Sequence, residues 1–347
     1  MALNLIKLAE TITTQFENLT INSSSCSRIT SILSSCNKCV DVCPTTISFQ
    51  NSSIEVEDCL YCGLCATVCP TDAFILNSSS PKSIVDKATD LAKSYEEVYI
   101  YCSHNNKEKK ITGLEVPCLG SVPWVSWLEL MFIDNLKIYF PDENCTNCQL
   151  KNGFNVWQDE LKSAKELINK SIPINSHIRN QIQKIGDIKL DRERRQFLSS
   201  IFGGLKATPK KLVNDWLDDN SFSGEQAKVS IETKKKTITN KRRVLMNFIQ
   251  NTPHIAEQIV IKLPTILENC QFCGACSILC PNGALNHIEE KNQTIIQLNS
   301  VNCSECNLCS DICYHKAIKL ENRTATEFLS PIKVLARQIN KSNLNCP

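Results

Sequence analysis

The chain has 347 residues, 42% of them hydrophobic, and a formal net charge of +2. That is room for two or three domains, with no charge excess pointing to nucleic acid. Twenty-one cysteines dominate the composition. A disulfide framework requires export, and the opening MALNLIKLAETITTQF, with Glu10 and no long apolar run, does not read as a secretory signal; reduced thiols that hold metal or do chemistry are expected.

In chain order, residues 1–19 read as an N-terminal helix. Residues 20–80 hold two cysteine runs. CNKCVDVCP supplies Cys36, Cys39 and Cys43 before Pro44, but position 33, where a fourth thiol belongs, is Leu33. Cys26 is the nearest upstream candidate, displaced by an insertion. CLYCGLCATVCP then supplies Cys59, Cys62, Cys65 and Cys69 before Pro70. Short alternating stretches, TTISF and DAFIL, read as flanking strands.

Residues 81–154 alternate helix and strand: VDKATDLAKSY, EEVYIYC, GLEVPC, PWVSWLELMF and NLKIYF. Cys102, Cys118, Cys145 and Cys148 follow the strands, so a parallel sheet would gather them at one edge. The longest apolar stretch, SVPWVSWLELMFIDNLKIYF, is broken by Glu129, Asp134 and Asn135 and is too interrupted to span a bilayer.

Residues 155–261 lack cysteine and read as a helical linker or docking region: WQDELKSAKELINKSI, SHIRNQIQKI, LDRERRQFLSSIF, PKKLVNDWLD and KRRVLMNFIQ. The arginine pair at Arg194 lies too deep in the chain for an export signal. The runs KKK and KRR between 234 and 243, without interleaved aromatics, read as a solvated or subunit-docking face. In residues 262–325, CQFCGACSILCP places Cys270, Cys273, Cys276 and Cys280 before Pro281, and CSECNLCSDICY places Cys303, Cys306, Cys309 and Cys313 before Tyr314. The missing proline there is expected to weaken the turn. GALNHI and HKAIKL read as strands, and residues 326–347 as a C-terminal tail in which Cys346 is a spare thiol. The fold class expected is a multidomain α+β and α/β chain.

The spacing has a physical basis. Three thiolates at intervals of three residues wrap one iron–sulfur cube, and the next, four residues on, reaches the neighbouring cube. On that crossed scheme Cys26, Cys36, Cys39 and Cys69 form one set, and Cys43, Cys59, Cys62 and Cys65 a second. Cys270, Cys273, Cys276 and Cys313 form a third, and Cys280, Cys303, Cys306 and Cys309 a fourth. The alternatives are a first site with only three protein thiolates, and zinc in place of iron. Gly63 and Gly274 would let backbone N–H groups approach the clusters.

These motifs resemble the bacterial two-cluster ferredoxin family, which implies four 4Fe-4S clusters in two modules. The middle domain, with VPCLG and its closing cysteine pair, resembles the small iron–sulfur subunit of methyl-viologen-reducing hydrogenases. That resemblance implies a 2Fe-2S cluster on Cys102, Cys118, Cys145 and Cys148; another iron–sulfur type or zinc are the alternatives. His104 reads as a loop histidine.

There is no Gly-x-Gly dinucleotide fingerprint and no phosphate-binding loop, and the chain has five histidines. The expected function is a non-catalytic electron-transfer subunit in an oxygen-poor cytoplasm. Its partners would be redox subunits of a dehydrogenase, hydrogenase or reductase, flavin- or molybdenum-containing ones included, with no nucleic acid and no direct membrane span. The alternatives are an adaptor joining a hydrogenase or formate dehydrogenase to a heterodisulfide-reductase-like flavin complex, and a metal-stabilised interaction scaffold.

Overall fold

The computed structural model describes residues 19–103, 113–140, 145, 148–150, 152–167, 178–179 and 238–339. The expected helix at 1–19 lies outside them up to residue 18, as do LDRERRQFLSSIF, PKKLVNDWLD, KKK, His104 and Cys346.

The first module opens with β1 (Leu19–Ile21), followed by two single-turn helices, α1 (Ser27–Thr30) and α2 (Lys38–Val42). Strands β2 (Thr46–Gln50) and β3 (Ser53–Glu57) form an antiparallel hairpin. Its two loop residues, Asn51 and Ser52, both have positive φ (48° and 62°), the turn hand that matches strand twist. After α3 (Leu64–Val68), β4 (Phe74–Leu76) returns to pair with β1. The core of this module is small: Ile47, Ile54, Ala73 and Phe74 pack with Cys26, Cys39, Cys65 and Cys69.

The middle domain begins at α4 (Pro81–Ser94). Ser80 caps it, its Oγ accepting from Ser83 N at 3.3 Å, and proline takes the first helical position, where no N–H is required. Strands β5 (Val98–Cys102), β6 (Gly113–Val116) and β7 (Leu136–Tyr139) are all parallel, with β5 central and buried throughout. Helices α5 (Trp124–Leu130) and α6 (Asn152–Leu167) cover the sheet, with Trp127 and Trp157 in its core. Glu160 of α6 accepts from Trp124 N, 2.6 Å away, tying the two helices end to flank.

The linker reading needs revision at three places. Helix α6 begins at Asn152 and sinks Trp157 and Leu161 into the middle-domain core, so the first part of the linker belongs to that domain. Within SHIRNQIQKI, expected as a helix, Ile178–Arg179 form β8, which pairs parallel with β7; sheet pairing outweighs helical spacing there. The KRR run opens α7 (Asn240–Asn251), where Arg242 is only 5% exposed and engages the second module, so it is not a solvated face.

The second module pairs β9 (Val260–Ile266) with β12 (Ile318–Thr324) around two single-turn helices, α8 (Ala275–Ile278) and α9 (Leu308–Asp311). A separate sheet joins β10 (Leu285–Glu290), β11 (Gln293–Asn299) and β13 (Ile332–Ile339), all antiparallel. Residues expected as a tail therefore include an edge strand that fills the open side of β11. Middle domain, α7 and second module share one continuous apolar core. Among the described residues no helix is long and apolar enough to cross a membrane.

Glu129, on α5, has its carboxyl pushed up to about 7, first by burial and then by the Asp86 carboxylate. Because the folded-state value is raised, its stabilising share is complete below about pH 4 and is lost as pH rises towards 7. Glu129→Gln should remove that slope and gain on the order of 2 kcal/mol at pH 8, measured as anaerobic thermal unfolding midpoints between pH 5 and 8.

Candidate metal centres

The runs after Cys59, Cys270 and Cys303 fold alike. In each, the residue before the second cysteine is left-handed: Tyr61 (φ 50°), Phe272 (53°) and Glu305 (59°). So is the residue after it: Gly63 (78°), Gly274 (73°) and Asn307 (64°). Alternation of this kind turns successive backbone N–H groups towards one concavity, suited to an anionic group. Phe272 N lies 3.5 Å from Cys270 Sγ in this turn. Only Gly63, Gly274 and Asn307 carry a residue-type signal for such backbone; Tyr61, Phe272 and Glu305 do not.

A second device closes three of the four runs. Asp72 (φ 55°), Gly283 (62°) and Lys316 (50°) are left-handed, and the following alanine N–H donates to the last cysteine of its run. The distances are 3.3 Å for Ala73 to Cys69 Sγ, and 3.2 Å for both Ala284 to Cys280 Sγ and Ala317 to Cys313 Sγ. Tyr314 in place of proline does not loosen this turn, because the left-handed residue at 316 and the N–H to sulfur bond set its shape. Tyr314 itself is 92% exposed.

The first run departs from the rest. Asn37, aligned with Gly63, has φ −124°, and α1 follows Cys26 instead. Cys26 and Cys39 are nevertheless both buried and pack in one cluster with Cys69.

The thiols fall into neighbourhoods. Burial first, then the Cys69, Cys26 and Cys36 thiols, push Cys39 up to about 12. Cys65 is raised by burial and by Cys62, Cys43 and Cys59. Cys276 is pushed up to about 11 by burial and by Cys270, Cys273 and Cys313. Cys309 is raised by burial and by Cys303, Cys306 and Cys280. Cys39 also raises Cys65, Cys276 also raises Cys309 and Cys36 also raises Cys306, so each module gathers its thiols closely and neighbouring sets adjoin. Without a cation such thiols hold their protons; an iron core reverses that preference, and inserting it releases protons. All sixteen donors are thiols, and backbone N–H groups already point at several sulfurs, so the donor chemistry fits cubane iron–sulfur clusters. Among the described residues, no three Cys, His, Asp or Glu side chains are gathered as one metal ion would need.

In the middle domain Cys102 ends β5 and Cys118 follows β6. Cys102 Sγ donates to Pro117 O at 3.3 Å, and the neighbouring Cys102 thiol, with burial, raises Cys118. Gly120 N donates to Cys118 Sγ at 3.4 Å, and Leu150 N to Cys148 Sγ at 3.4 Å. Cys148 N donates to Cys145 O at 3.3 Å. Cys118 and Cys148 share an apolar cluster with Cys62 of the first module, while Cys102 and Cys145 meet the middle-domain core. Gly153 permits this packing, since a Cβ there would stand 2.4 Å from Cys118 Sγ.

A family model described as a 4Fe-4S dicluster domain matches residues 267–325, which contain all eight cysteines of the second module. Another, described as a 4Fe-4S binding domain, matches residues 53–75, which include Cys59 to Cys69 but not the divergent first run. The chain therefore carries two ferredoxin-like iron–sulfur modules of the kind that serves electron transfer. Two relatives are both named DNA-directed RNA polymerase subunit Rpo3. That of Methanosarcina acetivorans is 38% identical over 60 residues, 17% of this chain and 22% of its own. That of Methanosarcina mazei is 38% identical over 55 residues, 16% of this chain and 20% of its own. The chain thus spans about a fifth of the length of these relatives. No solved structure matches.

Gly63 and Gly274 allow a graded test. A Cβ at Gly63 would meet Leu76 Cδ2 at 2.8 Å and Ser121 Cβ at 3.0 Å, whereas at Gly274 it would meet the His287 ring at 3.4 Å. Gly63→Ala is expected to lose about four irons per chain, and Gly274→Ala to retain most of its iron, as read by iron and acid-labile sulfide assay.

Proposed function

We propose that this chain is a multi-cluster electron-transfer subunit that passes single electrons between a partner oxidoreductase and another redox carrier. Cys26, Cys36, Cys39 and Cys69 would hold one 4Fe-4S cluster, and Cys43, Cys59, Cys62 and Cys65 a second. The second module would hold two more, on Cys270, Cys273, Cys276 and Cys313 and on Cys280, Cys303, Cys306 and Cys309. Cys102, Cys118, Cys145 and Cys148 would hold a 2Fe-2S cluster. The observation that carries the reading is the repeated cysteine run whose left-handed turns aim backbone N–H groups at sulfur, in the segments that match 4Fe-4S family models.

Bound clusters supply one-electron chemistry. The chain's own groups bury the sulfurs and exclude water, which opposes added negative charge, and place N–H donors on them, which favours the reduced, more negative state. The partner supplies the catalytic centre, a flavin- or molybdenum-containing dehydrogenase, hydrogenase or reductase. The sequence resemblance of the middle domain, in VPCLG and its closing cysteine pair, to the small iron–sulfur subunit of methyl-viologen-reducing hydrogenases would fit an adaptor that joins such an enzyme to a heterodisulfide-reductase-like flavin complex. An oxygen-poor cytoplasm is the setting that so many clusters suit.

The polymerase-subunit relatives favour a second reading, in which the clusters support folding inside an assembly and carry no current. Anaerobic iron and sulfide assay with EPR during stepwise reduction separates the two. About eighteen irons per chain, reducible by a low-potential donor, are expected; clusters that no donor reduces would leave the scaffold reading. Sixteen irons with one zinc would make the middle site structural. Cys59→Ser and Cys273→Ser should each lose one cubane, and Cys26→Ser should do the same if it is the displaced ligand; unchanged iron after Cys26→Ser would establish a three-thiolate site.

A further inference from the structure

Electron transfer between two modules requires that their nearest sites be held in a fixed relation, and the start of α7 touches both modules with consecutive residues. Asn240 N donates to the Asp72 carboxylate of the first module. Lys241 Nζ donates to the carbonyls of Thr67 and Cys69, the latter at 2.6 Å. The next residue, Arg242, reaches the other way. Its Nε donates to Cys303 O at 3.1 Å, and its Nη2 donates to the same carbonyl and to Glu305 Oε1 at 2.9 Å. Its guanidinium lies 4.6 Å over the Phe328 ring.

The rest of the helix fixes this grip. Thr239 Oγ1 caps it by accepting from Arg242 N at 3.3 Å, and Val244, Leu245, Phe248 and Ile249 are buried in the core shared with the middle domain. Away from the helix, the modules touch again: Ser35 N and Oγ both donate to Asp311 Oδ2 at 2.8 Å. Ser35 adjoins Cys36, and Asp311 stands two residues past Cys309.

Resting on the electron-transfer reading, we infer that Lys241 and Arg242 are positioning residues that lock the site of Cys26, Cys36, Cys39 and Cys69 against that of Cys280, Cys303, Cys306 and Cys309, making one unbranched path through all five sites. From the middle site the path enters the first module where Cys118 packs with Cys62. It crosses that module, where Cys39 and Cys65 share a cluster. The junction follows at the contact of Ser35, which adjoins Cys36, with Asp311, two residues past Cys309. The path ends at the site of Cys270, Cys273, Cys276 and Cys313, where Cys273 is exposed and Ile278 is 67% exposed. Each step moves one electron from a reduced site to an oxidised one, fed by a low-potential one-electron donor protein and drained by an acceptor protein.

A buried guanidinium and a half-buried ammonium are costly unless anions or carbonyls meet them. Here both meet the backbone of a cysteine in a facing site, Cys69 or Cys303. Arg242 Nη1 is buried without a hydrogen-bond partner among the described residues. The same two residues therefore set distance and place positive charge at the junction.

The test uses full-length protein with its clusters, in native form and as two double variants: Lys241→Met with Arg242→Met, and Ser35→Ala with Asp311→Asn at the exposed contact. Three quantities are read: iron and sulfide per chain, spin–spin broadening between clusters in the partly reduced EPR spectrum, and the rate of intramolecular electron redistribution after flash reduction. Native iron with narrowed spectra and redistribution slowed on the order of tenfold or more in either variant is the expected result. Native iron with unchanged broadening and rate in the variants overturns the clasp while leaving the electron-transfer reading intact. Should the buried double variant lose iron, the surface pair decides by the same criterion. Native protein whose clusters cannot be reduced overturns the electron-transfer reading, and the clasp with it.

Discussion

Thiols crowded into a protein interior repel one another once ionised, and neutral they are poor partners for buried backbone. The local architecture of both ferredoxin-like modules answers that constraint. Left-handed residues on either side of the second cysteine turn N–H groups inward, and a third before Ala73, Ala284 and Ala317 aims another at a sulfur. In the first module half of the tightly buried core is cysteine, Cys26, Cys39, Cys65 and Cys69 beside Ile47, Ile54, Ala73 and Phe74. So little aliphatic packing leaves the bound inorganic core as the centre of the fold, in the way small metal domains depend on their ion.

The three units are joined unequally. Middle domain and second module share one apolar core through α7 and β9, so they behave as a single body. The first module keeps its own core and meets its neighbours through a small cluster around Cys62, Leu64 and Cys118, and through polar contacts at Asp72, Thr67, Cys69 and Ser35. Apolar contact fixes the first module to the middle site, while charge and hydrogen bonds fix it to the second module. The polar attachments are the directional ones, and direction matters where two sites must face each other.

Much of this was readable beforehand. The strands around each run, β5 to β7 with their cysteines at the C-terminal edge, and α4 and α5 follow from alternation and helical spacing. The nearness of Cys26 to the first module's other cysteines was also expected, and Cys26 does pack with Cys39, Cys65 and Cys69. What could not be read depends on contacts between distant segments. KRR has the composition of a wet surface, and the approach of Thr67 and Cys303 from opposite sides half-buries Lys241 and buries Arg242. Ile178–Arg179 is a strand because β7 offers a free edge, and Ile332–Ile339 because β11 does. The turn at Tyr314 keeps its shape without proline because Lys316 adopts the left-handed conformation on its own.

The position of α7 in the chain has a consequence for biosynthesis. A ribosome delivers the first module well over a hundred residues before Lys241, so the surface that Lys241 later covers, Thr67 to Asp72, stands open over that interval of translation. The first module can therefore fold before the helix that clasps it exists, and the order of synthesis sets the order in which its own core and its outer contacts form.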